Sequence, residues 1–138
     1  MPLPLPRIHE MEYTVTDEVS IHFMGPDVPP VLSTPSLVLW IETTSHENLR
    51  PVLGPGEDSV GILIQVKHLA ATPLGMKVRV VSKLVRVEGR VYTFEIEAFD
   101  EAEKIAAGMH ERASVSVAKF AGRVAAKQAR ARNAVRDD

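Results

Sequence analysis

Residues 33–42 read Ser33-Thr34-Pro35-Ser36-Leu37-Val38-Leu39-Trp40-Ile41-Glu42, and this stretch decides the fold. A hydroxyl residue followed by proline is how a helix begins. The hydroxyl accepts from an orphan N–H of the first turn, and proline brings no N–H that would go unpaired. The spacing predicts a helix from Pro35 to about Val52 with Thr34 as its cap. Leu37 to Ile41 is unbroken apolar and contains the only tryptophan, so the first turns offer solvent no polar face and belong in a core. Thr43 to Arg50 is polar and is expected to emerge toward water. Pro51 ends or kinks the last turn.

On both sides of this helix the period changes to that of strands. Upstream, Tyr13, Val15, Val19, Ile21 and Phe23 occupy alternate positions, which predicts a strand interrupted near Asp17-Glu18. Residues 1–11 open on alternating prolines and are expected to form a flexible terminus. Gly25, Pro26, Pro29 and Pro30 make a loop. Downstream of Gly54-Pro55-Gly56, Val60, Ile62, Ile64 and Val66 alternate with their neighbours, and Met76 to Val87 reads as a second strand. Glu88-Gly89-Arg90 signals a hairpin into a third strand with Tyr92, Phe94, Ile96 and Ala98 on one face. Ile105 to Val117 marks a fourth. Connections this short join antiparallel neighbours. One strand, a buried helix and four strands make an α+β architecture, the hot-dog fold, with a long buried helix wrapped by a curved antiparallel β-sheet. A single helix leaves sheet edges uncovered, so a homodimer at least is expected.

Composition narrows the chemistry. A chain of 138 residues, 45% hydrophobic and 25% charged, is one globular domain. Without cysteine it has no disulfide, thiolate zinc site, iron-sulfur cluster or cysteine nucleophile. No apolar run approaches the ~20 residues needed to span a bilayer, and the start lacks a signal-peptide pattern, so a cytoplasmic protein without membrane contact is expected. Net charge is −2, but it is segregated: residues 119–136 carry six basic and no acidic side chains, against ten basic and sixteen acidic before them. The tail, residues 121–138, reads as a solvated Ala/Arg-rich helix. With no aromatics interleaved among its bases it argues against a nucleic-acid partner. Residues 12–120 are left as the folded domain.

Glu42 is the first acid after the apolar run of a buried helix, where a carboxylate must be paired or must border a cavity. His68 ends a strand, and histidine is the usual acid/base group near neutral pH. His22, His46, His68 and His110 have no metal-ligand spacing, so no metal site is expected. There is no phosphate-binding Gly-rich loop with its lysine, and no Gly-x-Ser-x-Gly element.

Taken together, Leu32-Ser33-Thr34-Pro35, Glu42, Arg50-Pro51, Leu53-x-Pro55-Gly56-Glu57, Gly61 and His68-Leu69-Ala70-Ala71-Thr72-Pro73-x-Gly75 form a recognisable pattern. With Val87-Glu88-Gly89-Arg90 and Gly108-x-His110-Glu111-Arg112-Ala113 it resembles the fluoroacetyl-CoA thioesterase family of hot-dog proteins, over roughly residues 28–120. The resemblance implies an acyl-CoA thioesterase whose catalytic set falls on Thr34, Glu42 and His68. It also implies a close approach of the thioester to Gly61 and a coenzyme A phosphate contact at Arg112. Coenzyme A is part of the substrate, and no separate cofactor is implied. In the fluoroacetyl-specific member aromatic side chains before the helix form a lid, whereas Gly25 to Val31 contain none, so a short- to medium-chain acyl-CoA is expected in place of the fluorinated substrate. Glu42 could attack directly to form an anhydride. Alternatively, Glu42 or His68 could activate a water while Thr34 and a backbone N–H hold the oxyanion. The alternatives are a non-catalytic acyl-CoA-binding module and, less favoured, an enoyl-CoA hydratase, whose usual acid/base pair is an Asp-x-x-x-x-His element.

Overall fold

Asn48, deep in the main helix, shows how the two layers are joined. Its Nδ2 donates to the carbonyls of Arg7 at 3.1 Å and Ser82 at 3.0 Å, while Arg7 Nε returns a bond to the Asn48 carbonyl at 2.9 Å. The structure is a computed structural model that describes residues 3–137, with side chains through residue 134. Met1, Pro2 and Asp138 lie outside it. The helix, α1, spans Thr34–Leu49 and tightens into a single 3-10 turn over Arg50–Val52, because Pro51 cannot continue the α-helical ladder. The strands are β1 (Arg7–Thr14), the short β2 (Ser20–Ile21) and β3 (Val31–Leu32), then β4 (Glu57–His68), β5 (Lys77–Glu88), β6 (Val91–Phe99) and β7 (Lys104–Ser116).

The five long strands form one antiparallel sheet in the order β1-β5-β6-β7-β4, and α1 packs across β5, β1 and β4. β5 and β6 are joined by the two-residue turn Gly89-Arg90 expected from the hairpin signal, with Glu88 opposite Val91. Leu37, Ile41 and Leu49 of α1 meet Val78, Val80, Leu84, Phe94 and Ile96 of the sheet in a fully or almost fully buried core. Trp40 stacks on Tyr13 of β1, ring centroids 4.7 Å apart and planes 9° apart. This is the long-helix-on-sheet hot-dog arrangement expected from the element order.

Three expectations are corrected. Residues 7–11 are not a flexible terminus but most of β1, each paired to β5. Their inward positions are Arg7, His9 and Met11, so the alternation carries no aliphatic signature, and pairing with β5 fixes a strand that composition hides. The polar half of α1 does not emerge: Thr44, Ser45 and Asn48 are wholly buried. Thr44 Oγ1 bonds to the Tyr13 hydroxyl at 2.9 Å and Ser45 Oγ to Ser82 Oγ at 2.9 Å, which is how polar groups survive in a core. Conversely Leu39, inside the apolar run, is 62% exposed.

The second helix, α2, spans Val117–Asp137, starting within the expected domain at residue 117, and its residues are exposed from Val117 to Ala134. No helix among the described residues is long and apolar enough to cross a membrane. Asn48→Leu removes the two side-chain hydrogen bonds to the Arg7 and Ser82 carbonyls and is expected to lower unfolding free energy by about 1–3 kcal/mol in urea titrations. Truncation after Phe120 removes a segment whose described side chains, residues 121–134, are exposed, and it should leave the urea midpoint in place.

Candidate active site

Ser33, not Thr34, caps α1. Its Oγ accepts from the Ser36 N–H at 3.2 Å, and its carbonyl takes the Leu37 N–H at 3.1 Å. Thr34 is the first helical residue, and its hydroxyl is free to turn outward. Thr34 Oγ1 lies 2.8 Å from Nδ1 of His68 at the far end of β4. The other ring nitrogen, Nε2, is buried and has no partner. Burial alone pulls the His68 pKa below its ordinary value, so the ring is neutral at pH 7. A neutral imidazole that receives the Thr34 hydroxyl at Nδ1 carries its proton on Nε2.

The pair sits in a cleft of about 520 Å³ lined by Ile21, Phe23, Met24, Val31, Pro35 and Leu69, among others. Gly25 to Val31 carry no aromatic, but Phe23 lies just before that loop and stands 79% exposed at the cleft. Met24 joins it at the same wall. The cleft therefore has an aromatic at its wall, from a position two residues earlier than the segment in which a lid was sought.

Glu42 lies eight residues along α1 from Thr34, about 12 Å in rise and about 80° round the helix. It faces Gly61 of β4: a Cβ there would stand 3.1 Å from Glu42 Oε2 and 3.2 Å from His110 Cε1. Any larger residue there would force the Glu42 carboxylate or the His110 ring to shift by a few tenths of an ångström. Glu42 Oε2 is also 3.8 Å from Arg112 Nη1. Arg112 is corrected in one respect. Its side chain is 5% exposed, with Nε donating to Ser59 Oγ at 2.8 Å and Nη2 to the Ser59 carbonyl at 2.9 Å, so it is an internal cation and not a surface contact for a coenzyme A phosphate.

His110 is a member of this cluster that spacing did not single out. It is fully buried, with Nδ1 2.8 Å from the Leu63 carbonyl and Nε2 3.2 Å from Arg112 Nη1. A carbonyl can only accept, so Nδ1 carries the proton and Nε2 accepts from the guanidinium. The signal was available: His110 and Arg112 are two apart on one strand and therefore share a face. Asp17 and His22 stand at the Asp-x-x-x-x-His spacing and lie 3.2 Å apart, but their side chains are 78% and 51% exposed, an ion pair in solvent and not a buried acid/base dyad.

Burial depresses the pKa of His110 as well. The charge of Arg112 adds to that shift, while the Leu63 bond and the carboxylates of Glu42 and Glu111 oppose it. Two histidines with depressed pKa values give the linkage its sign. Below about pH 6.5 the unfolded chain takes up protons that the folded chain refuses, so stability falls with pH. Urea unfolding from about pH 7.5 down to about 5 is expected to show this decline, and a flat profile would contradict two neutral buried rings.

With this geometry in view, comparisons with known proteins are informative. The fluoroacetyl-CoA-specific thioesterase family matches residues 15–118. The fluoroacetyl-CoA thioesterase of Streptantibioticus cattleyicolor is 39% identical over 101 residues, 73% of each chain. A solved fluoroacetyl-CoA thioesterase superposes with a TM-score of 0.83 at 31% identity, covering 92% of this chain and 98% of that one. A thioesterase superfamily member from Thermus thermophilus superposes with a TM-score of 0.87 at 28% identity, covering 96% and 98%.

Proposed function

This chain belongs to the fluoroacetyl-CoA-specific thioesterase family, and we propose that it hydrolyses short- to medium-chain acyl-CoA thioesters with Thr34, Glu42 and His68 as its catalytic set. The chain is a thioester hydrolase acting on acyl-CoA. The observation that carries the assignment of residues is the Thr34–His68 pair, 2.8 Å apart at an apolar cleft large enough for an acyl chain.

Hydrolysis needs a nucleophile, a stabilised oxyanion and a proton for the departing thiolate. Donation from the Thr34 hydroxyl to Nδ1 would leave the His68 proton on Nε2, the form that can act as a proton donor. The Ser36 and Leu37 N–H groups are taken by Ser33, so α1 offers the oxyanion the field of its N-terminus. Glu42 stands about 12 Å further along the helix, so a thioester and a water would have to lie between the two groups. This spacing favours Glu42 as the base that activates water over direct attack to an anhydride. Gly61 contributes bare backbone at the carboxylate.

The same reading includes a homodimer formed over β4. Gly61 to Gln65 of this edge strand are exposed on both faces, with Ile62 at 52%, Leu63 at 41% and Ile64 at 37%, and Leu39 of α1 stands open as well. An apolar edge strand with neither charge nor cover invites pairing, and a second copy offers the same surface in return. Sedimentation at micromolar concentration should give a dimer or a larger even assembly, and a monomer alone would refute this.

Free coenzyme A release from a panel of acyl-CoAs, followed with a thiol reagent, tests the activity, since a chain without cysteine adds no thiol of its own. Acetyl-CoA and several longer acyl-CoAs are expected to be hydrolysed with overlapping kcat/KM, because each methylene in an apolar pocket is worth only ~1–3 kcal/mol. A preference for fluoroacetyl-CoA over acetyl-CoA by several orders of magnitude would overturn that specificity. Glu42→Ala and His68→Ala should each lower kcat by ~10²–10⁴ while remaining folded. Folded variants with near-normal turnover would refute the assignment of these residues as catalytic.

A further inference from the structure

His110 is the most buried titratable group near the cleft, and nothing in the hydrolysis described above uses it. Its surroundings are unusually specific. Phe94 packs against its ring, with centroids 6.0 Å apart. The Nδ1 proton is fixed by the Leu63 carbonyl at the point where the β4–β7 register shifts between Gly61 and Leu63. That bulge turns the carbonyl inward and leaves Nε2 as a lone pair facing Arg112 Nη1 at 3.2 Å. Nη1 is also the guanidinium nitrogen nearest Glu42, at 3.8 Å from Oε2. The other contacts of Arg112 run to Ser59 through Nε and Nη2. One side of the fork is thus anchored by a strand and the other by a histidine.

We propose that His110 is a positioning residue for catalysis: by accepting from Arg112 Nη1 it fixes the guanidinium plane, and through it aims the Glu42 carboxylate at the space over Gly61. The inference rests on the reading of Glu42 as a catalytic residue. A guanidinium is planar and rigid, so a hydrogen bond at one tip sets the direction of the whole group. Glu42 is long and 43% exposed, and Arg112 is the cation facing it within this cluster. If Nη1 loses its acceptor, Arg112 stays buried on Ser59 but its tip is free to rotate, and the carboxylate loses its fixed reference. Small misplacements of a catalytic group cost rate more than binding.

Two substitutions separate this role from a purely structural one. His110→Gln can keep an acceptor at the position of Nε2 while losing the donor to Leu63. His110→Asn can keep the donor to Leu63 while losing the acceptor for Arg112. Each leaves one of the two buried bonds unmade, so a structural role predicts similar damage from both. The proposal predicts that folded His110→Asn loses kcat by about 10- to 100-fold with KM little changed. It predicts that folded His110→Gln recovers to within about threefold of wild type. Equal kcat values in the two variants, or the reverse order, would overturn it. If either variant fails to fold, Ser59→Ala removes one anchor of Arg112 at minimal volume. Reduced kcat at constant KM then supports the proposal, and unchanged kcat overturns it. Glu42→Gln is measured alongside: an unaffected kcat there would remove the reading of Glu42 itself, whereas a large loss there with His110→Asn fully active would remove only the role given to His110.

Discussion

The rotation of α1 about its own axis is the constraint on which the site depends. Three hydrogen-bonded side chains set it. Thr44 reaches Tyr13, Ser45 reaches Ser82, and Asn48 ties β1 to β5 through the carbonyls of Arg7 and Ser82. Apolar packing alone tolerates a helix that rolls by a few tens of degrees, since burial has no direction. Buried amides and hydroxyls do not tolerate it, because each unmade bond in a core costs about 1–3 kcal/mol. With α1 clamped to β1 and β5 by these side chains, its contacts with β4 are fixed as well. There Thr34 meets His68 and Glu42 meets Gly61.

Electrostatics along β4 follow from that placement. At the end of β4 burial keeps His68 neutral, and across from its middle, on β7, burial together with Arg112 keeps His110 neutral. One neutral ring has its Nε2 without a protein partner, while the other has both nitrogens committed. Chemically they are therefore different tools. The first has one nitrogen on Thr34 and one unpaired, and the second bridges the Leu63 carbonyl and Arg112. Charge itself is concentrated on Glu42 and Arg112, where a single missing Cβ at Gly61 makes room for the carboxylate.

Much of this was legible in the sequence, and the parts that were not have physical reasons. Proline after two hydroxyl residues located the start of α1, and alternation located the four later strands to within a residue or two. Which hydroxyl caps the helix was not legible, since Ser33 and Thr34 are equally competent and only the backbone decides. Thr44, Ser45 and Asn48 read as solvent-facing because polarity is the only local cue, whereas the carbonyls that accept from Asn48 lie 41 and 34 residues away. β1 was missed from Arg7 to Met11 because an edge strand can carry charge and histidine on alternate positions. Glu42 and His68 stood out by position, Thr34, Gly61 and Arg112 took their roles from the family pattern, and the contacts that bury Arg112 had no signal in the sequence. A surface arginine and a buried one look alike until strand β4 supplies Ser59.

The central claim is that the Thr34 hydroxyl, freed by the Ser33 cap, holds a neutral His68 in its proton-donating form. Steady-state acyl-CoA turnover by Thr34→Val tests this most directly, because valine keeps the shape and removes only the hydroxyl. The account predicts a folded protein whose kcat is lower by about tenfold or more with KM little changed. Turnover equal to that of the wild-type chain would contradict it.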